Sequence, residues 1–328
     1  MEIVQDRQIF KNEKMSAHTS FRIGGRANRF VQATAQVAVL KTLCECAGKN
    51  EKIYFIGGGS NTLFSSRKID ATILQYTNND INIENDTLVC SAGVMVSELL
   101  KFCLAHSIAG LEFMAGIPGT IGGAVKGNAG GVDTAIGDFV IKISGFEIEC
   151  DNQNNINKNS EIILNKLKNK ITLINNQKIL ENAKNNVKIR KKYIKISENF
   201  FNYRKSNIKN NFFILKIYLK INYGNKLIIE NKIKEFLSNK ILRQPMNKRS
   251  AGSVFLRQGD FIPARAIDAL GLKGERVGGV MVSNLHAGFI VNEGGASSGD
   301  VLKLIDKIRR RVRKVYGVDL ICEIRYYD

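Results

Sequence analysis

"GIPGTIGGAVKGNAGG", residues 116–131, places seven glycines and one proline in sixteen positions. Glycine inside a helix or strand costs roughly 0.5–1 kcal/mol relative to alanine, so a run this dense serves something other than local stability. Glycine-rich turns let main-chain N–H groups converge on an anion, and a phosphate is the natural guest. A second, shorter run lies upstream, where the apolar strand "KIYFI" feeds Gly57-Gly58-Gly59-Ser60-Asn61. Two such loops, each beside a strand, suit one long ligand with a pyrophosphate at its middle. Taken singly, each also reads as a tight turn at a sheet corner.

Two familiar fingerprints do not fit. The dinucleotide pattern G-x-G-x-x-G needs glycine where Thr62 stands and a helix afterwards, whereas "RKIDATILQY" reads as charge followed by strand. A P-loop needs Lys and Ser/Thr after its last glycine, and Gly127 is followed by Asn128-Ala129.

Around the loops, residues 1–150 alternate short apolar runs with glycine turns ("RFVQATA", "ATILQYT", "TLVCSAG", "FVIKISGFEIE"). One helix stands out there, "VSELLKFCLAHSI", with Val96, Leu99, Leu100 and Cys103 at i, i+3, i+4 and i+7. Residues 151–200 are rich in Lys and Asn and carry no period that decides between helix, strand and loop. Alternation returns in "FFILKIYLKIN", a strand with Phe213, Leu215, Ile217 and Leu219 on one face. The last hundred residues read as a compact α+β unit. It has a helix ended by Pro245, strands at "AGSVFLR" and "HAGFIVN", and a basic helix stopped by Gly317. The closing "DLICEIRYYD" puts Leu320, Cys322 and Ile324 on one face and Glu323 and Arg325 on the other.

Composition narrows the class. At 328 residues with 44% hydrophobic content the chain suits a globular protein of two domains. It lacks an apolar run of about eighteen residues, and its charged N-terminus has no signal-peptide core, so a cytoplasmic protein is expected, with no membrane contact. Six cysteines without a CxxC pair and three isolated histidines predict reduced thiols and no metal site. The net charge of +19 is concentrated in residues 151–243, where 21 Lys and Arg face 6 Asp and Glu among 21 Asn. Lysine spread evenly among Asn and Ile describes a biased, solvated surface and no nucleic-acid partner, although it would attract anionic small molecules.

The ordered set "TSFRIGG" (19–25), "GGGSN" (57–61), "GLEFMAGIPGTIGGAVKGNAG" (110–130), "YRKS" (203–206), "SAGSVF" (250–255), "RVGGVMVSNLHAGFIVN" (276–292) and "EIR" (323–325) resembles the UDP-N-acetylenolpyruvoylglucosamine reductase family. The resemblance runs from residue 19 to the C-terminus, apart from about 150–200. It implies an α+β fold with an FAD-binding domain of the vanillyl-alcohol-oxidase (PCMH) type, built from two α+β subdomains, and a smaller α+β substrate-binding domain. The corresponding divisions are 1–220, with subdomains of about 1–75 and 76–220, and 221–328. The compact C-terminal region is similar to the family's shorter members, which lack a tyrosine-bearing insertion.

The resemblance also implies non-covalent FAD, NADPH as hydride donor, a UDP-sugar substrate and a monomer. Carried over residue by residue, Gly57, Gly58, Gly59, Ser60, Asn61, Ile117, Pro118, Gly119, Thr120, Gly122, Gly123, Asn128 and Ala129 would contact FAD. Arg204 would polarise the substrate carboxylate, Ser253 would donate the proton, and Glu323 would work with the arginine on the enolate. Glu323 would need a raised pKa to give up a proton itself. Tyr203, Arg243 and Arg257 match substrate contacts, but Leu256-Arg257-Gln258-Gly259 departs from the usual continuation after "GSVF". Two other classes remain in view. One is an FAD oxidase of the same fold, which often tethers its flavin through His or Cys; neither occurs in 57–60 or 110–131. The other is a basic nucleic-acid-binding protein.

Overall fold

The computed structural model describes residues 2–4, 6–131, 133–150, 170–174, 177–181 and 187–328. The chain opens with β1 (Glu2–Val4), β2 (Arg7–Lys14), β3 (Arg26–Ala33), α1 (Gln36–Lys49), β4 (Ile53–Ile56), β5 (Thr62–Phe64) and β6 (Ile69–Tyr76). It continues through β7 (Ile81–Glu84), β8 (Thr87–Ser91), α2 (Val96–Ala105), β9 (Ile108–Ala109), α3 (Ile121–Lys126) and β10 (Val140–Cys150). Next come β11 (Lys170–Ile174), β12 (Gln177–Glu181), β13 (Val187–Lys195), β14 (Phe201–Asn202), β15 (Lys205–Ser206), β16 (Phe212–Lys220), β17 (Asn222–Tyr223) and α4 (Lys226–Arg243). The last stretch holds β18 (Arg249–Ser253), α5 (Pro263–Ala269), β19 (Arg276–Val277), β20 (Val280–Val282), β21 (Phe289–Asn292), α6 (Ser298–Tyr316) and β22 (Arg325–Tyr327).

Contacts divide the chain into two compact units, each discontinuous in sequence. The first comprises Met1–Glu13, Ala27–Gly57 and Asp70–Ile233; the second comprises Lys14–Arg26, Gly58–Ile69 and Lys234–Asp328. Residues 14–26 and 58–69 therefore belong with the C-terminal part of the chain, and the late divide falls inside α4.

The first unit holds two sheets over one apolar core. Five strands run in the order β1-β2-β3-β6-β4, with β4 and β6 parallel, and seven run β11-β12-β13-β10-β16-β8-β7 with antiparallel neighbours. In β16 the expected alternation holds: Phe213, Leu215, Ile217 and Leu219 are buried, and the residues between them are half-buried. Phe213 meets Phe55 of β4 edge to face, with centroids 4.8 Å apart, inside the same core.

Two segments differ from the sequence-based expectation. Residues 1–150 contain α1 and the short α3 as well as α2. In α1 the buried Ala38, Val39, Thr42, Leu43, Cys46 and Ala47 form a helical stripe of small and β-branched side chains. Ala38, Leu43 and Ala47 are strong helix formers and Val39, Thr42 and Cys46 weaker ones, and burial of the whole stripe adds to that local preference. The Lys/Asn-rich stretch, where no element could be read, contains β11, β12 and β13; residues 151–169 lie outside the described residues. In β13 only Val187 and Ile189 keep a buried alternation. Ion pairs of Lys192 with Glu147 and of Arg190 with Glu149 (3.3 Å) add cross-strand attachment to β10. The pattern was illegible because charge pairing supplies what apolar residues usually supply.

The second unit is a four-stranded antiparallel sheet, β18-β21-β20-β19, packed with α6, and a parallel pair β5-β22. Val301, Leu304, Ile305, Ile308 and Val312 of α6 are buried in its core with Phe21, Ile23 and Leu63. Ser297 caps α6 reciprocally with Asp300, and Gly317 ends it in the left-handed conformation at φ 68°. Asn292 Nδ2 donates to Phe21 O at 3.0 Å, holding the 15–25 segment against the sheet. Among the described residues, no helix is long and apolar enough to cross a membrane, and no three His, Cys, Asp or Glu side chains converge as metal ligands.

Helix α1 is stapled to the five-stranded sheet by charge. Glu45 receives Arg7 of β2 at 2.5 Å and Arg29 of β3 at 3.0 Å, and Arg29 Nε also donates to Thr72 Oγ1 of β6 at 3.0 Å. Burial alone would raise the Glu45 pKa; hydrogen bonds and charge from the two arginines outweigh it and hold the carboxyl below the usual carboxylate range. The stability this contributes is therefore present above the unfolded carboxylate pKa, about 4.3, and is lost as pH falls through the lower folded value. Glu45→Gln is expected to melt below the wild type at neutral pH, with the gap closing in strong acid. A Tm difference that stays constant across an acid titration would remove the ion pair from this role.

Candidate active site

Gly57, the first residue of the upstream run, meets the second run within the first unit, while Gly58 to Asn61 belong to the second unit. Strand β4 ends at Ile56, and Gln75 Nε2 of the adjacent β6 donates to Gly57 O at 2.7 Å. A Cβ on Gly57 would lie 2.5 Å from Thr120 Oγ1, so only glycine allows the end of β4 to approach the start of α3. Thr120 Oγ1 accepts from Gly123 N at 3.3 Å and caps α3. The run is stitched to residues 92–96 by main chain: Ile121 N to Val94 O (2.8 Å), Gly122 N to Ala92 O (2.9 Å), and Val96 N to Gly119 O (3.0 Å). Ile117, Pro118 and Gly119 form the turn that leads into this join, with Ile117 N donating to Met114 O at 2.9 Å.

Gly123 and Gly127 of the run are not demanded by packing within the protein. The nearest neighbour of an added Cβ would be Thr120 Oγ1 at 3.5 Å for Gly123 and Gly123 O at 3.6 Å for Gly127, both ordinary contacts. Four residues apart, they lie on one face of α3. Bare main chain on that face, beside the Gly57 turn, accommodates a flat cofactor, and FAD fits it.

Past α3 the run turns into an anchor. Asn128, buried and left-handed at φ 45°, donates from Nδ2 to Asn202 O at 2.9 Å and accepts at Oδ1 from Gly137 N at 2.9 Å. Asn202 ends the first arm of a hairpin whose turn is Tyr203-Arg204. Ser206 Oγ of the second arm donates to Lys126 O at 2.8 Å. Arg204 turns its guanidinium back to the glycine run, donating from Nη2 to Gly130 O (2.9 Å) and from Nη1 to Asn128 O (3.4 Å). Tyr203 is exposed, and the Arg204 guanidinium carbon lies 5.3 Å from its ring centroid, a cation–π contact. Ala129 is held in the same turn by Ala129 N to Ala124 O (2.8 Å) and Ile136 N to Ala129 O (2.9 Å). Asn128, Ala129, Tyr203 and Arg204 thus form one cluster. Ser206, which supports it, closes the "YRKS" stretch, whereas Asn202 and Gly137 carry no local sequence signal.

The second unit gathers Gly58, Gly59, Ser60, Asn61, Ser253 and Glu323. Gly59 has φ 65°, and an added Cβ would sit 2.1 Å from His18 O, so both conformation and space require glycine. Ser20 N donates to Gly59 O at 3.2 Å, while Ser20 Oγ donates to Ser250 O of β18 at 2.7 Å. One serine of "TSFRIGG" therefore bridges the glycine loop to the strand carrying Ser253. A register shift between Ser250 and Ser253, with Gly252 at φ 79°, forms a bulge immediately before Ser253. Ser253 is half-buried and lies opposite Phe289.

Beyond Ser253 the chain pairs with the C-terminal segment. Glu323 N donates to Val254 O at 2.8 Å, Phe255 bridges Cys322, and Leu256 N donates to Ile321 O at 2.9 Å. Seventy residues apart in sequence, Ser253 and Glu323 are neighbours in this ladder. The expected faces hold, since Leu320 and Ile324 enter the core with Cys322 packed against it; regular strand begins only at Arg325. Burial pushes the Cys322 thiol up, with Arg309 opposing, so it stays protonated at neutral pH. Burial likewise lowers the His286 pKa, and its Nδ1 accepts from Gly288 N at 3.0 Å. Arg257 is exposed and bound within its own turn, to Gly259 O (2.7 Å) and Asp260 (3.5 Å). Arg243 is exposed at the last residue of α4.

The family described as "FAD binding domain" matches residues 27–144, which hold both glycine runs, and "UDP-N-acetylenolpyruvoylglucosamine reductase, C-terminal domain" matches residues 244–327, which hold Ser253 and Glu323. A protein of that reductase name from Thermotoga maritima is 31% identical over 318 residues, covering 96% of this chain and 97% of its own. One from Clostridium botulinum (strain Okra) is 30% identical over 326 residues, covering 99% and 94%. The crystal structure of the Thermus caldophilus enzyme of this name is 23% identical, with a TM-score of 0.73 over 98% of this chain and 99% of that one, and shares the fold.

Because Asn128 uses both side-chain polar atoms while buried, Asn128→Ala leaves Asn202 O and Gly137 N without these partners and places alanine at positive φ. A loss of about 2–4 kcal/mol in urea-derived stability is expected. A loss under about 0.5 kcal/mol would mean that water replaces both bonds.

Proposed function

Because the chain belongs to the UDP-N-acetylenolpyruvoylglucosamine reductase family, we propose that it reduces the enolpyruvyl double bond of UDP-N-acetylglucosamine enolpyruvate with NADPH as electron source, giving the UDP-N-acetylmuramate used for peptidoglycan. It is an FAD-dependent oxidoreductase. The observation that best supports the reading is the ladder in which Glu323 N donates to Val254 O, one residue from Ser253, so that two residue types able to handle protons lie on one local stretch of the second unit.

When bound, FAD would supply two-electron chemistry between NADPH and the enolpyruvyl double bond. Gly57 to Asn61, Ile117 to Thr120, Gly122, Gly123, Asn128 and Ala129 would hold the cofactor. When hydride adds to an alkene conjugated to a carboxylate, negative charge gathers on that carboxylate as an enolate. Arg204 meets this charge. Two of its N–H groups hold Gly130 O and Asn128 O, which fixes the guanidinium plane that meets the carboxylate.

The adjoining carbon then takes a proton from Ser253 Oγ. A serine hydroxyl is a poor acid, so it serves only against a strongly basic, carbanion-like centre that is held close to it. Glu323 works with Arg204 on the enolate. Tyr203, Arg243 and Arg257 contact the UDP-sugar, and the basic surface draws the anionic substrate in.

Absorption spectroscopy tests the reading. The purified protein is expected to show flavin bands that bleach with NADPH under anaerobic conditions and return on addition of the enolpyruvyl sugar. Acid precipitation should leave all flavin in solution, which distinguishes the protein from a tethered oxidase. A colourless protein that takes up no FAD, or a bleached one that the sugar fails to restore, refutes the assignment. Ser253→Ala is expected to reduce its flavin with NADPH nearly as the wild type does and to slow reoxidation by the sugar on the order of a thousandfold. An unchanged reoxidation rate would take Ser253 out of the proton transfer.

A further inference from the structure

The side chain of Asn61, at the end of the first glycine run, reaches away from the main-chain turn to the C-terminal segment. Its Nδ2 donates to Glu323 O at 3.2 Å, and its own main-chain O accepts from Arg325 N at 3.1 Å. These two bonds flank Ile324, which is buried in the core of the second unit. Parallel pairing of β5 with β22 begins only at Thr62 and Arg325. The Asn61 side-chain amide therefore stands where a further main-chain donor would stand, and carries the pairing back to Glu323. On its other side the Glu323 peptide is fixed by Glu323 N donating to Val254 O at 2.8 Å. With N–H and C=O both held, the direction of the Glu323 Cα–Cβ bond is set by Val254 and Asn61 together.

We propose that Asn61 is a positioning residue for Glu323, aligning that carboxyl for its part in the reduction. The inference rests on the reading of Glu323 as a reacting group given above. Ser20 supports the same arrangement from the opposite side, through Gly59 O and Ser250 O, so that one loop registers both the Ser253 strand and the Glu323 segment. The arrangement separates two uses of Asn61 that its place in a glycine loop would otherwise merge: the main chain shapes the cofactor turn, and the side chain serves the carboxyl.

The test compares Asn61→Ala and Asn61→Asp in the wild-type and Glu323→Gln backgrounds. NADPH-reduced holoenzyme is reoxidised anaerobically by UDP-N-acetylglucosamine enolpyruvate, and rates are expressed per bound flavin. In the wild-type background each substitution is expected to slow reoxidation about tenfold or more. Aspartate should rescue nothing, because it keeps the size of Asn61 and lacks the N–H donor. In the Glu323→Gln background the further loss should fall below about twofold, the non-additivity expected of residues acting through one group. Amide exchange of the peptide spanning residues 321–327 should accelerate in Asn61→Ala, a change that does not depend on turnover. Equal losses in both backgrounds, or an unchanged rate in the first, overturn the inference while leaving the function intact. A wild-type flavin that the sugar cannot reoxidise refutes the function, and the role for Asn61 falls with it.

Discussion

Two stretches of main chain approach so closely at Gly57 and Thr120 that a single methyl group would collide with the threonine hydroxyl. The rest of the first unit is arranged around that approach. Parallel pairing of β4 with β6 delivers Gly57 to the edge of one sheet, while main-chain bonds from Ile121, Gly122 and Val96 tie the start of α3 to the strand that β8 has just completed. A side chain at Gly57 would push the end of β4 away from the start of α3. The energetic logic is that of a functional site: each glycine costs helix or strand stability, and the surrounding core of closely packed Leu, Ile, Val and Phe side chains supplies the compensation.

How far this was legible depended on whether the determining contacts were local. Helices α2, α4 and α6 show in the sequence because their caps, stops and apolar spacing lie within each segment. Strand β16 shows because it alternates against one core. Helix α1 has a weak sequence signal because Ala, Thr and Cys build much of its buried stripe, and β13 because the Lys192–Glu147 and Arg190–Glu149 pairs to β10 stand in for apolar alternation. The glycine runs announced a ligand site without saying what each glycine does. Gly57 and Gly59 are required by neighbouring atoms, whereas Gly123 and Gly127 are free of such demands and leave open backbone. Nearness of Ser253 to Glu323 could be reached from sequence only through the family resemblance, since antiparallel pairing across seventy residues has no local signature.

Charge follows the same division. The excess of lysine in the middle of the chain is in part consumed internally, as with Lys192 on Glu147 and Lys126 on the carbonyls of Ile208 and Lys209. Glu147 is buried and Lys126 half-buried, so these lysines are drawn into the fold, while the rest of the excess leaves a broadly positive surface. Arg204 differs from the surrounding basic residues in being oriented: carbonyls of the glycine run hold it at two points, which converts a flexible cation into a fixed fork.

Each glycine run carries an asparagine, Asn61 at the end of the first and Asn128 near the end of the second, and the two behave alike. Asn128 reaches from the second run to the hairpin that carries Arg204, and Asn61 reaches from the first run to the segment that carries Glu323. In both cases the side-chain amide donates to a main-chain carbonyl, at Asn202 in the hairpin and at Glu323 itself. An amide is the economical choice, since it is neutral across the pH range and tolerates the left-handed conformation that Asn128 adopts. Aspartate would match the size and offer no donor; serine would be too short for the reach. Loops that shape a cofactor turn through their glycines can thereby also hold catalytic side chains through the residue that closes them. Under this arrangement, displacing either loop would also move the hairpin that carries Arg204 or the segment that carries Glu323.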